Sequence, residues 1–366
     1  MFLIHPSDLE QRRKSCRPAA DKLLGLQRDV ILSCNVCASK RHVLISKTDR
    51  YGLPLRTALC LECGLFYLVD RFSAASYSEF YASGAYRAVS SQFNRVTHDI
   101  AGVQEDQASY ARILIQLLHG YVSRRDGAKL LDVGGSAGIV AHEFVREFGF
   151  RGTVLDPATD EVAAARALGL NSVVGSVEDW ETQEKFDLIL LCRSVEHLID
   201  LRGALSRIRG LLTPEGLFYC DIVDFMEMCR LVGPPETVTK VDHCYWLTQS
   251  TALEIFRAVG FDVVSMNVVY GAGYAGFLLR ACEPSAPTTG QGRVQQQIEE
   301  FQRIRREWTS FGGTSLGTMD WLRRKAYRLK RRIVRLIAPQ NGRSITPRKA
   351  IPIVTIPNTT GERPIR

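Results

Sequence analysis

The stretch KLLDVGGSAGIVAHEF, Lys129 to Phe144, sets an apolar run against a helical pattern and places three glycines and a serine between them. A turn of this kind presents bare backbone amides at a helix N-terminus, where a sheet receives a nucleotide-bearing ligand. Outward from it, short apolar runs alternate with helical patterns, the mark of a parallel sheet with crossover helices. KLLDVGG, GTVLD, NSVVG, FDLILLC and GLFYCDIVD read as strands one to five, with helices at Ile139–Glu147, Asp160–Leu168 and Leu201–Leu212. A helix in TQSTALEIFRAVG then precedes two more strands, FDVVSMNVVYG and GYAGFLLRAC. The fold class expected is α/β, a Rossmann-like, seven-stranded, mostly parallel sheet.

The glycine spacing selects among ligands. A dinucleotide fingerprint is G-x-G-x-x-G, whereas here Ser136 stands two after Gly134 and Gly138 arrives too early. An acid followed by alternating glycines, D-x-G-x-G-x-G, is the pattern for S-adenosylmethionine (SAM); DVGGSAG fits it at Asp132, Gly134 and Gly138 and departs at Ser136. SAM has no pyrophosphate, so Gly134, Gly135, Ser136 and Gly138 must allow close approach of its amino-acid end while Asp132 supplies negative charge for the ammonium. Asp156, at the end of the second strand, is spaced to accept hydrogen bonds from ribose hydroxyls.

Asp132–Gly138, Asp156, GSVEDW (175–180), FDLILLCRSVEHLID (186–200), LLTPEGLFYCDI (211–222) and AVGFDVV (258–264) follow one another in an order that resembles class I SAM-dependent methyltransferases. The resemblance covers roughly residues 104 to 282. It implies a last strand that is antiparallel and SAM lying over the ends of strands one, two and four. It also implies that the loop Ser176, Val177 and Glu178 meets the adenine, with Val177 and Glu178 as the ligands, and that Arg193 and Ser194 lie near the methionine part.

Cys34 and Cys37, then Cys60 and Cys63, form C-x2-C pairs separated by 22 residues, close to zinc-ribbon spacing. Four thiolates around Zn2+ fill a structural site and leave no open position for catalysis. Lys40, Arg41, Arg50 and Arg56 are placed in sequence to offset the charge, His42 is an alternative ligand, and buried thiols without metal are the plain alternative. Cys16, Cys192, Cys220, Cys229, Cys244 and Cys282 lack paired spacing and read as core residues.

A zinc module ahead of a class I methyltransferase resembles the deoxysugar C-methyltransferases and related enzymes of glycan assembly. In that family a Glu-His pair precedes an aromatic segment after strand five; VDHCYWLT offers Asp242, His243 and Tyr245, and FYASGAYR offers Tyr81 and Tyr86 for its paired tyrosines. The resemblance implies a sugar or nucleotide-linked sugar as acceptor and His243 as base, oriented by Asp242, with His197 in VEHL as the second candidate. Histidine suits proton removal near neutral pH.

Composition bounds the rest. The chain has 366 residues, 45% hydrophobic and 23% charged, with no apolar run long enough to span a membrane. MFLIHPSDLEQRRK reaches Pro6 and Asp8 before an apolar core of signal length forms, so a cytoplasmic location is expected. The formal charge of +8 belongs to the end of the chain: residues 293–366 hold 17 Lys/Arg against 5 Asp/Glu. The remainder is net acidic, so no nucleic-acid partner is expected, although a zinc-ribbon nucleic-acid-binding protein or nucleic-acid methyltransferase using the basic tail is the alternative. MDWLRRKAYRLKRRIVRLIA reads as a basic amphipathic helix, suited either to an anionic membrane surface or to packing on the protein itself. The organisation expected is an N-terminal segment 1–28, a zinc-binding module 29–72, a connector and leading helix 73–125, a methyltransferase domain 126–283, a linker 284–292 and a basic helical tail 293–366. The polar and aromatic stretch SAASYSEFYASGAYRAVSSQ from Ser73 reads as loop or connector, and FMEMCRLVGPPETVTKVDHCYWL after Asp224 as an irregular, lid-like insertion.

Overall fold

The computed structural model describes residues 4–95, 100–267, 273–285 and 291–312, and the described residues up to 309 pack as one compact unit. The basic helix expected within 319–338 lies outside the described residues. Apolar alternation from Lys129 onward builds a seven-stranded sheet from β6 (Lys129–Val133), β7 (Arg151–Asp156), β8 (Asn171–Val174), β9 (Phe186–Leu191), β10 (Leu212–Val223), β12 (Phe261–Asn267) and β13 (Tyr274–Ala281). Its order is β12-β13-β10-β9-β6-β7-β8, and β13 alone runs antiparallel to its two neighbours. The sheet expected from the sequence is present, with the glycine-loop strand β6 in its interior between β9 and β7.

Crossover helices α5 (Ile139–Phe148), α6 (Thr159–Ala167), α7 (Leu201–Leu211) and α10 (Gln249–Val259) follow β6, β7, β9 and the insertion. The leading helix α4 (Ile100–Leu118) buries Tyr110, Ala111, Leu114 and Leu118, and Tyr121 lies beyond its end at 44% exposure.

The N-terminal region adds α1 (Pro6–Lys22), β1 (Arg28–Val30), and the strands β2 (His42–Thr48), β3 (Pro54–Cys60), β4 (Phe66–Leu68) and β5 (Asp70–Phe72). From Ser73 the sequence folds not as loop but as two helices, α2 (Ala74–Ala82) and α3 (Ala85–Asn94). Ser73 caps the first, and Gly84, at φ +68°, makes the break between them. Tyr77 and Phe80 recur three apart and are buried, a signal masked in sequence by the surrounding serines and alanines.

The insertion after β10 is likewise ordered: α8 (Phe225–Val232), α9 (Pro235–Val238) and β11 (Tyr245–Trp246). Residues 241–248 are all buried, because β11 pairs antiparallel with β4 as the fourth strand of the order β11-β4-β3-β2. A strand partner some 180 positions upstream is invisible to local periodicity, which is why this segment reads as a lid. The last described helix, α11 (Gln291–Gly312), lays Phe301 against the rings of Phe66 and Phe225, and Trp308 donates to the Ile4 carbonyl at 2.7 Å.

Candidate functional site

The loop after β6 is held open by its own chemistry. The Gly134 amide donates to the Leu155 carbonyl at 2.7 Å, tying the loop to β7. Gly134 has φ +67°, and a Cβ there would meet Ser194 Oγ at 2.6 Å; a Cβ on Gly135 would meet the Asp132 carboxylate at 2.7 Å. Gly138 starts α5 at φ +77°, against Ala165 and Leu170. Ser136, where a glycine is usual, has φ +52°, and its hydroxyl donates to Glu161 at 2.8 Å, which is in turn paired with Arg87 of α3. Glu161 and Arg87 escaped the sequence reading; the serine departure was their only trace.

Asp132 is 1% exposed and neither carboxylate oxygen has a hydrogen-bond partner. Burial, together with the neighbouring Asp156, pushes it up to about 7. Asp156 is raised by burial too, opposed by amides of Ala158 and Ser136 at 2.9 Å each. An unpaired buried carboxylate beneath a glycine loop fits a cationic ligand, so Asp132, the loop amides and Asp156 could hold the ammonium and ribose of SAM. Val177 is buried in the loop after β8, while Glu178 accepts the Ile199 amide at 2.9 Å and Ser176 bonds Asp179. Ser194 lies over Gly134, but the Arg193 guanidinium turns away, to Asp106 at 2.8 Å and over the Tyr110 ring. Arg193 thus meets the site through its backbone, whose amide donates to Asp221 at 2.5 Å.

A second cluster is assembled from four segments. His197, on a single 3-10 turn after β9, takes a 2.8 Å hydrogen bond between its Nδ1 and the hydroxyl of Tyr81 from α2. Its ring lies 4.6 Å from that of His243, and its Nδ1 is 3.9 Å from Asp242. Asp242 does not orient His243 by a hydrogen bond, as expected from their adjacency, because consecutive side chains diverge; it faces His197 and accepts Lys240 Nζ at 3.0 Å. Burial, then the Lys240 charge, lowers His197 to about 4 and His243 well below its ordinary value. The β2–β3 turn reaches the same place: the Arg50 amide donates to the Thr239 carbonyl at 2.8 Å, and Asp49, fully buried, is pushed up to about 7. Glu196 beside it is buried, bonded to the Val223 amide, and raised to about 7 by burial. Lys240 was missed in sequence because a lysine in a Pro/Thr-rich insertion reads as solvated.

The four cysteines converge. One sulfur from each lies within 4.8 Å of the others, with Cys34–Cys63 and Cys37–Cys60 both at 3.5 Å. A tetrahedron of Zn–S bonds of about 2.3 Å has edges of about 3.8 Å, so the set fits a structural Zn2+. Ala38 at φ +60° and Gly64 at φ +77° turn the chain after each pair. His42 is not among these ligands; its Nδ1 contacts the Lys40 carbonyl. The expected charge offset is also spent elsewhere, Arg41 on Glu62, Arg56 on Asp70 and Arg50 on the Tyr51 hydroxyl. Asn35, inside the first pair, bonds Asp200 at the start of α7 and so docks this module on the sheet's crossover layer.

Comparison with known proteins agrees with this architecture. A family model described as a methyltransferase domain matches residues 103–266. The ubiquinone biosynthesis O-methyltransferase of Nitrobacter winogradskyi is 34% identical over 97 residues, 25% of this chain and 37% of that one. Its counterpart from Rhodopseudomonas palustris (strain TIE-1) is 31% identical over 100 residues, 25% and 38% of the two chains. The matched stretch therefore spans under two fifths of these relatives. Among solved structures, an S-adenosylmethionine-dependent methyltransferase from Clostridium acetobutylicum aligns over 48% of this chain and 91% of its own at 12% identity and TM-score 0.39. The glycopeptide N-methyltransferase MtfA in complex with SAM aligns over 48% and 94% at 18% identity and TM-score 0.38. The family match falls on residues 103–266, which carry most of α4, the strands β6 to β10 and most of β12, while the antiparallel β13 lies just beyond it.

Proposed function

We propose that this chain is a SAM-dependent methyltransferase that acts on a small acceptor, a sugar or nucleotide-linked sugar, with a structural Zn2+ in its four-cysteine module. The observation that carries the reading is the buried, unpartnered Asp132 carboxylate beneath a loop whose glycines admit a ligand's backbone-close approach. Bound there, SAM supplies an electrophilic methyl group on a sulfonium. The residues of the chain do the rest. Asp132 and the loop amides fix one end, Asp156 the ribose, and Val177 gives an apolar wall for the adenine.

Methyl transfer is an in-line displacement, so the acceptor atom has to be held about 3 Å from the methyl carbon. α2 and α3 bridge the two halves of the site: Arg87 pairs with Glu161 behind the glycine loop, and Tyr81 holds His197. An acceptor hydroxyl or carbon acid gives up its proton to the histidine cluster, with His243 first and His197 second. Both are held neutral by burial and by Lys240, which keeps a lone pair available, and Asp242 lies nearby to stabilise the imidazolium that forms. The polar, multiply hydrogen-bonding wall of Tyr81, His197, Asp242 and His243 supports a polyhydroxylated acceptor. The relatives' name supports oxygen as the methylated atom.

Incubating the full chain with methyl-labelled SAM and a panel of nucleotide sugars, read by mass spectrometry, tests the reading. A mass gain of one methyl on a sugar supports it. Transfer only to another metabolite class discards the sugar, and absence of SAM binding by calorimetry discards the enzyme.

A further inference from the structure

One ligating atom from each of His197, Asp242 and His243 lies within 4.8 Å of the other two. We infer that these side chains form a second metal site, separate from the four cysteines, that takes a divalent ion of the imidazole-preferring kind, Zn2+, Co2+ or Ni2+, and that an ion there inhibits methyl transfer. The inhibitory half rests on the reading of this cluster as the proton acceptor; the binding half does not.

Two imidazoles and one carboxylate are a donor set suited to such ions. A neutral imidazole carries one free lone pair, which such an ion takes up. The cluster also lacks a partner for some of its own polar atoms. Asp242 and His243 are each 7% exposed, yet Asp242 Oδ1 and His243 Nδ1 have no hydrogen-bond partner. A buried polar group left unpaired is destabilising, and an ion touching both removes that penalty. Tyr81, bonded to His197 Nδ1, fixes that ring as outer partners of metal-bound histidines do.

Distances are near what coordination requires. With bonds of about 2.0–2.1 Å, neighbouring ligand atoms in a tetrahedral site stand about 3.4 Å apart. One ligand atom from each of the three side chains lies within 4.8 Å of the others, so rotation of the side chains closes the set. Lys240 works against the ion: its ammonium occupies Asp242 Oδ2 at 3.0 Å. It leaves Oδ1 open, which makes the site weaker than the cysteine site and reversible. Once an ion holds the imidazole nitrogens, no lone pair remains to accept the acceptor's proton.

The full chain, washed with a chelator under conditions that retain the four-cysteine ion, is titrated with Zn2+ by calorimetry in the absence of SAM. One further equivalent is expected with micromolar Kd, and it disappears in Asp242→Asn and in His243→Gln, while elemental analysis still finds one ion per chain. Lys240→Met is expected to tighten the added equivalent at least tenfold. Turnover of the wild-type chain falls with a midpoint equal to that Kd. No second equivalent, or one that survives both substitutions, overturns the site; a filled site with unchanged turnover overturns the inhibition. A chain that transfers no methyl to any acceptor refutes the enzymatic reading instead, and the titration still decides the ion.

Discussion

The glycine-loop half of the site and the histidine half are built on opposite principles. In the first, Asp132, Gly134, Gly135, Ser136 and Gly138 belong to one strand-to-helix turn, and Asp156 ends the adjacent parallel strand. In the second, Tyr81 comes from α2, Arg50 from the β2–β3 turn, His197 from the end of β9, and Lys240, Asp242 and His243 from the insertion. One half is a local motif whose geometry follows from backbone conformation. The other exists only because β11 pairs with β4 and the cysteine module docks on α7. The expected consequence is that the two halves fail separately: damage to the histidine half strips turnover and spares cofactor binding, and damage to the loop does the reverse.

The largest effects test the histidine half. His243→Gln is expected to lower kcat by about 10²–10⁴, the usual contribution of a positioned general base, with SAM affinity by calorimetry unchanged within threefold. Equal loss of SAM affinity would mean that the cluster is part of the cofactor site. Removing the Zn2+ proposed for the four-cysteine module is expected to act on the same half from a distance. A structural Zn2+ contributes about 10–16 kcal/mol of apparent binding energy in small zinc modules, which here would hold β3, β4 and through them β11. Cys60→Ser is therefore expected to lower Tm by more than about 10 °C and to cost acceptor turnover at 20 °C far more than SAM binding. A normal kcat/KM in that variant would separate the module from the acceptor side.

Asp132→Asn breaks the loop half. Loss of a charge-assisted hydrogen bond of about 1.5–3 kcal/mol corresponds to a roughly 10–100-fold weaker SAM complex. The pH dependence sharpens the point. Asp132 in the folded chain titrates near 7, above its ordinary value, because burial and Asp156 disfavour its charge. A folded value raised above the unfolded one contributes stability that is full below about pH 4 and lost as pH rises through 7. The ligand-free chain is thus destabilised at pH 8 by its own ligand-binding charge, and the Asn variant is expected to melt a few degrees higher there. A cationic ligand favours the ionised form, so SAM should bind wild type more tightly at pH 8 than at pH 6 and the variant equally at both. A flat wild-type profile would remove Asp132 from the ammonium contact.

The same contrast accounts for what the sequence disclosed. Strand ends, glycine turns and the acid that ends β7 are short-range patterns, and the seven strands could be anticipated from them. The cysteine pairs are spaced evenly enough that their convergence was legible without knowing what they dock against. The orientation of Asp242 was not. It depends on Lys240 and His197, one two residues away and the other across the insertion, and on burial of residues 241–248 that arises from a strand some 180 positions upstream. α2 and α3 were hidden for a related reason: their apolar faces are sparse, and Tyr77, Phe80 and Phe93 find partners on β5 and on the β2–β3 turn.

Ser136 gives the smallest effect and the most local test. A non-glycine residue in the left-handed region costs roughly 1–2 kcal/mol of backbone energy, so glycine at this position removes strain at φ +52°. Against that stands the hydrogen bond from its hydroxyl to buried Glu161, worth about 1.5–3 kcal/mol with an ionised acceptor. Ser136→Gly exchanges one for the other, and its net change is expected within about 1 kcal/mol of zero by denaturant unfolding. Ser136→Ala keeps the strain and loses the bond, so it should be the less stable of the two by about 1–2 kcal/mol. The order matters more than the sizes. If alanine equals serine, then Glu161 and Arg87 do not support the loop through this hydroxyl, and the serine is merely a tolerated departure from glycine. If alanine falls below serine, the loop half of the site has its own link to α3, the neighbour of the helix that carries Tyr81, and the two halves share one support after all.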